Sequence, residues 1–148
     1  MKIIRAKNKH VDDVSVLFNL YRQFYKYKSD LKKSKRYISK RIFNEESVIF
    51  ICFKDKNIVG FVQLYETFDS LNLNKKLVLY DLYVQSDYRK KGIARNLMNK
   101  SKDFAKKKNY GSIELSTATS NIKAQSLYES LDYIRDKEYY NYELEINH

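Results

Sequence analysis

Residues 79–94 read Leu79-Tyr80-Asp81-Leu82-Tyr83-Val84-Gln85-Ser86-Asp87-Tyr88-Arg89-Lys90-Lys91-Gly92-Ile93-Ala94. An apolar run empties into a short polar loop, and a glycine opens the segment that follows. That segment, Gly92 to Lys108, carries Ala94, Leu97, Met98, Ser101 and Ala105 at helical spacing, so the stretch is a strand, a loop and a helix. The first turn of a helix has unpaired N–H groups and a positive dipole end, which suits a pyrophosphate. Gly92 has no side chain to block an anion, small Ala94 permits close approach, and Arg89, Lys90 and Lys91 add positive charge. A strand-to-helix turn that merely carries basic residues reads the same way. A Gly-x-x-x-x-Gly-Lys-Ser/Thr phosphate loop and a dinucleotide fingerprint are both absent.

Outward from this stretch the chain has no Pro/Gly/Ser linker, repeat or low-complexity tract, which predicts one domain over 1–148. Residues 2–7 read as a strand. Val14, Leu17, Phe18, Tyr21, Phe24 and Tyr25 recur at helical spacing, with Tyr21 and Phe24 assigned to the core. Ser29-Asp30 breaks that helix and caps a second one running to Phe43. Residues 47–53 and 58–65 form a hairpin around Asp55-Lys56-Asn57; 69–76 is polar loop, and 77–84 a strand. Residues 112–117 are a strand, 121–130 a helix, and 133–146 two short strands or a long hairpin. The predicted order is β-α-α-β-β-β-α-β-α-β-β, an α/β (α+β) chain whose mixed sheet carries helices on both faces.

Composition narrows the function classes. No stretch approaches the roughly 18 uninterrupted apolar residues of a membrane span, and a signal core is missing, so a soluble cytoplasmic protein is expected. A single cysteine, Cys52, excludes an internal disulfide and a multi-cysteine zinc site. His10 and His148 stand at a helix start and the last position, and no metal-ligand spacing occurs, so no metal is expected. The formal charge is +11, but the lysines are spread through nearly every segment. That argues for solvated surface and against nucleic-acid binding, which has no motif here.

Arg89-Lys90-Lys91-Gly92-Ile93-Ala94 resembles the Arg/Gln-x-x-Gly-x-Gly/Ala loop of the GCN5-related N-acetyltransferase family. A second signature follows: Asn121-x-x-Ala124-x-x-Leu127-Tyr128-x-x-x-Asp132-Tyr133 is similar to Asn-x-x-Ala-x-x-Leu-Tyr-x-x-x-Gly-Phe/Tyr. Asp132 replaces the usual glycine, in a place where a left-handed residue closes a helix. The resemblance implies that acetyl-CoA lies between the fourth and fifth strands, which splay apart there, with its pyrophosphate on the amides of Lys91, Gly92, Ile93, Ala94 and Arg95. Its pantetheine would pair with Leu82, Tyr83 and Val84, touch Asn121 and pass Ala124. It also implies direct attack by a neutral amine in a ternary complex, a backbone N–H near Tyr83 or Val84 for the oxyanion, and Tyr128 as the acid for the leaving thiolate.

Asp81 is the candidate base or ammonium anchor, because a carboxylate inside an apolar strand is usually paired, bound or functional. A salt bridge to a nearby Lys or Arg is the equal alternative. Glu66 is a weaker candidate for the same role. In this family's plan the acceptor site draws on Tyr25, Asp30, Glu66 and Asp81, with Tyr21, Phe24, Tyr27, Phe68 and Asp69 nearby. Residues 80–89 are also similar to diamine (spermidine/spermine) acetyltransferases, which favours a small amine, polyamine or amino acid; the net charge argues against a polycation. A protein lysine or N-terminal amine is the alternative acceptor, and a non-catalytic acyl-CoA-binding module the alternative of another class. Related folds often form homodimers through C-terminal strands, where Tyr139, Tyr140 and Tyr142 either make such a contact or finish the sheet.

Overall fold

The computed structural model describes residues 1–148, which divide into two compact units, 1–116 and 117–148. The first holds β1 (Lys2–Arg5), α1 (Val11–Phe24), α2 (Leu31–Phe43), β2 (Val48–Lys54), β3 (Asn57–Asp69), β4 (Asn74–Val84), α3 (Ile93–Lys107) and β5 (Ile113–Glu114). Its sheet has the order β1-β2-β3-β4-β5, antiparallel throughout except for the parallel β4–β5 pair. The α/β mixed sheet read from the sequence is therefore the observed architecture.

Alternation along β2 and β3 assigns the two faces. Ile49, Ile51 and Phe61 meet Val14, Leu17 and Phe18 of α1 and Ile38 of α2 in one buried cluster. Phe50 turns the other way and meets the Phe104 ring of α3 at 5.6 Å. Gly60 belongs to that second face, where a Cβ would stand 3.1 Å from the Tyr83 carbonyl and 3.3 Å from the Ile93 side chain. Absence of a side chain there lets α3 seat its Ile93–Leu97 edge directly on the sheet.

The second unit contains α4 (Ile122–Ser130). The two strands expected over 133–146 do not form: residues 134–148 carry no strand, and Tyr139, Tyr140 and Tyr142 are exposed. Glu143 and Glu145 alternate with Leu144 and Ile146, which is strand-like patterning. Such patterning makes a strand only where a neighbouring edge supplies the ladder, and these residues pair with none. The strand expected over 112–117 shortens to Ile113–Glu114 for the same reason. In the opposite direction, the presumed loop 69–76 is largely hairpin. Asp69 pairs with Asn74 and Phe68 with Lys75, whose ammonium lies 5.7 Å over the Phe68 ring, and the Asp69 carboxylate accepts from the Asn72 amide at 2.8 Å.

All four helices stop by one device, without glycine. Lys26, Glu45, Asn109 and Asp132 have φ of 67°, 53°, 61° and 69°, each two residues past the last helical residue. In each case the left-handed residue and its successor donate back into the last turn, as Lys26 N does to Gln23 O and Tyr27 N to Arg22 O. Asp132 thus does the work expected of it. A non-glycine residue in this conformation costs roughly 1–2 kcal/mol, partly offset by the lower chain entropy it loses. Lys26→Gly and Glu45→Gly should each stabilise the protein by about 0.5–1 kcal/mol in urea unfolding; unchanged or lower midpoints would contradict this account of the helix ends.

Candidate active site

The site begins with one extra residue in β4. Gln63 of β3 pairs with Asp81, but its neighbour Leu64 pairs with Leu79, so Tyr80 is left over as a bulge. Strict alternation would put Asp81 on the side of Leu77 and Leu79, against α3. The bulge reverses the remaining strand, and Asp81 and Tyr83 face α1 and α2 instead.

Asp81 is buried, with 4% of its surface exposed. Its Oδ2 accepts from Gln63 Nε2 at 2.7 Å, and Gln63 Oε1 accepts from the Ser47 hydroxyl at 2.7 Å. Burial pushes the carboxyl above the usual aspartate range, while the hydrogen bond from Gln63 pulls in the other direction. The Tyr21 phenol is itself raised well above its ordinary value, first by burial and then by the neighbouring Asp81 charge. The expected alternative, a salt bridge, is not made: the ion pairs are Lys35–Asp12, Arg41–Glu46, Lys75–Glu66 and Lys76–Glu114.

Above Asp81 lies a cavity of about 480 Å³ walled by Phe18, Tyr21, Tyr25, Tyr27, Tyr37, Tyr65 and Tyr80, with Arg22 on its lining. The walls brace one another. Tyr37 and Tyr65 share a 2.9 Å hydroxyl contact, Tyr65 meets Tyr80 edge-on at 5.7 Å, and Tyr21 donates to the Tyr80 carbonyl at 3.3 Å. Six phenol rings around one carboxylate make an enclosure suited to a cation, which gains from ring faces and from the charge beneath.

Beside the cavity, β4 has an open edge. β5 pairs with it only at Leu77 and Val78, so residues 79–84 have no strand neighbour on that side. The strand leads through Ser86–Tyr88 to α3, whose cap is Gly92 at φ 81°; no side chain caps the helix, and its first turn has no acidic residue. Lys90 is also left-handed, at φ 62°. Left-handed residues on either side of Lys91 turn the chain sharply into α3. A Cβ on Gly92 would meet nothing within 4 Å, so the mouth of the helix is open. An extended arm ending in a diphosphate fits these features: a free strand edge for the arm and uncapped amides for the phosphates.

The remaining expected residues are placed as follows. Tyr25 lines the cavity. Asp30 does not; its Oδ1 caps α2 by accepting from Lys33 N at 3.0 Å. Glu66 sits on the α3 face, accepting from the Tyr110 hydroxyl at 2.8 Å and pairing with Lys75 at 3.3 Å. Arg89 is tied down, with Nε donating to the Val84 carbonyl at 2.8 Å and its guanidinium 5.3 Å from both the Phe24 and Tyr83 rings. Phe24, assigned to the core, is instead exposed beneath it. Lys91 lies over the Tyr88 ring at 5.7 Å. In the second unit, Asn121 caps α4 by accepting from Ala124 N at 3.2 Å, and Tyr128 packs at 6.2 Å from Tyr133. Sequence reasoning missed Gln63, Ser47, Arg22, Tyr37, Tyr65 and Tyr80. Gln63 alone carried a signal, as a polar residue inside Val59-Gly60-Phe61-Val62-Gln63-Leu64.

The profile of the "Acetyltransferase (GNAT) family" matches residues 14–133. The chain is 36% identical over 146 residues to the uncharacterized N-acetyltransferase YhfO of Bacillus subtilis, covering 99% of this chain and 98% of that one. It is 25% identical over 133 residues to the thialysine N-epsilon-acetyltransferase of Caenorhabditis elegans, covering 90% and 82% respectively. A crystal structure of a probable acetyltransferase superposes with a TM-score of 0.94 at 35% identity, covering 100% of this chain and 99% of that one.

A carboxyl whose pKa is raised on folding favours the folded state below its unfolded pKa, and that contribution is lost as pH rises through the folded pKa. Asp81→Asn keeps the acceptor oxygen for Gln63 and removes the buried charge. It should therefore raise Tm at neutral pH, with the gain shrinking as pH falls through the raised Asp81 pKa. A variant less stable than wild type at pH 7 would contradict the assignment of an uncompensated buried charge.

Proposed function

Because the chain belongs to the acetyltransferase (GNAT) family, with acetyl-CoA as its cosubstrate, we propose that residues 1–148 act as one domain that acetylates a small primary amine bound in the tyrosine-walled cavity. The carrying observation is Asp81: a buried carboxylate with no cationic partner, at the floor of an aromatic enclosure beside an open strand edge. The acetyl thioester supplies the activated carbonyl carbon; an N–C bond forms as the C–S bond breaks.

An alkylammonium, with a pKa near 10.4, must lose a proton before it can attack. Asp81 anchors the ammonium and takes that proton directly or through water, and its raised pKa brings it nearer the task than an ordinary aspartate. Gln63, held by Ser47, keeps the carboxylate in place. The ring faces of Tyr21, Tyr65 and Tyr80 favour the cationic form on entry. On the donor side, the amides from Lys91 to Arg95 hold the diphosphate and the backbone of Leu82–Val84 pairs with the pantetheine. Tyr128, by its place in the second motif, protonates the departing thiolate, and Asn121 and Ala124 flank the arm. The relative named for acetylating thialysine supports a small acceptor of this kind.

Thiol release from acetyl-CoA with a panel of small amines tests the reading. Asp81→Asn and Tyr128→Phe should each lower kcat/KM by about 10²–10⁴-fold while coenzyme A affinity stays within about twofold. In the wild type, kcat/KM should fall as pH drops through the raised Asp81 pKa, and the Asn variant should lack that limb. Full turnover by Asp81→Asn, or no turnover of any amine by a protein that binds coenzyme A, would sink it.

A further inference from the structure

Resting on the acceptor reading above, we propose that the cavity selects an amine that also carries a carboxylate, an amino acid in its zwitterionic form, with Arg22 as the partner of that carboxylate. Arg22 lies in the last turn of α1 and, apart from Asp81, is the one charged residue on the cavity lining. The two line the same space, yet they form no ion pair with each other or with any other residue. Opposite charges that share a cavity without touching leave a gap whose electrostatic complement is a dipolar molecule: ammonium toward Asp81, anion toward Arg22.

The geometry of Arg22 fits this use. Its guanidinium carbon lies 5.3 Å from the centre of the Tyr27 ring, a cation–π contact that holds the side chain at the cavity wall. No carboxylate of the chain pairs with it, and the planar N–H fork of a guanidinium matches a carboxylate bidentately. Asp81 is buried on the sheet, whereas Tyr27 is 62% exposed, so the two charges mark the inner and outer ends of the cavity. A volume of about 480 Å³ is of the size that takes a small metabolite. A diamine or polyamine would bring a second ammonium against Arg22. The net charge of +11 also steers polycations away.

The test compares, on the full chain with acetyl-CoA, lysine and a set of ω-amino acids with their carboxamides and with 1,5-diaminopentane. The acids should be preferred by at least about tenfold in kcat/KM, the discrimination that one charge-assisted contact supplies. Arg22→Gln should collapse that ratio to near one, with Tm and coenzyme A affinity confirming an intact fold, and Arg22→Lys should restore part of it. Carboxamides or the diamine used as well as the acids, or an unchanged ratio in Arg22→Gln, would overturn the assignment while leaving the acceptor reading standing. Acetylation of none of these amines by a protein that binds coenzyme A would overturn both.

Discussion

The bulge at Tyr80 governs what this molecule can do. A β-strand alternates its side chains strictly, so one additional residue changes the face of everything after it. Through that shift Asp81 leaves the α3 side of the sheet and enters the aromatic enclosure, where Gln63 meets it across the strand pair. The same half of β4 loses its partner on the other edge, because β5 stops at Glu114. The buried carboxylate on one face and the open strand edge beside it are thus both consequences of how this strand is built and bordered.

Holding a carboxylate in that position has a cost, and the local architecture limits it. One hydrogen-bonding neighbour, Gln63, stands in for part of the water that burial removes. Gln63 is itself fully buried and is oriented by Ser47, so its amide nitrogen is committed to Asp81. No side-chain polar atom that is fully buried lacks a hydrogen-bond partner. Stability given up at this buried carboxylate is recovered in the two-sided core, where Phe61 and Leu97 are completely enclosed on opposite faces of the sheet.

Much of this was legible in the sequence. Periodicity located all four helices within a residue or two, and the strand-loop-glycine pattern at 79–94 is the observed passage from β4 through a short loop to a Gly92-capped α3. Two kinds of information were not accessible. A bulge leaves no mark in a pattern of apolar and polar residues, so Asp81 could be suspected while its partner Gln63 could not be named. Pairing is a property of edges, so 133–146, patterned like strands, formed none, while Asn74–Lys76, read as loop, joined one. Asp30 and Glu66 show the matching error among carboxylates: each lay near the right helix or strand end, and each is consumed locally, one as a helix cap and one by Tyr110 and Lys75.

Low glycine content, three in 148 residues, also shaped the chain. Turns that glycine normally makes fall to Lys26, Glu45, Asn109 and Asp132, while Gly60 stands where a side chain would crowd the Tyr83 carbonyl and Ile93, and Gly92 takes the left-handed cap of α3. The account therefore comes down to the state of one buried carboxyl group, which carbon-13 NMR titration of Asp81 in the intact protein observes directly. It predicts an inflection clearly above the ordinary aspartate value of about 3.9, one that vanishes in Asp81→Asn; titration at or below that value would contradict it.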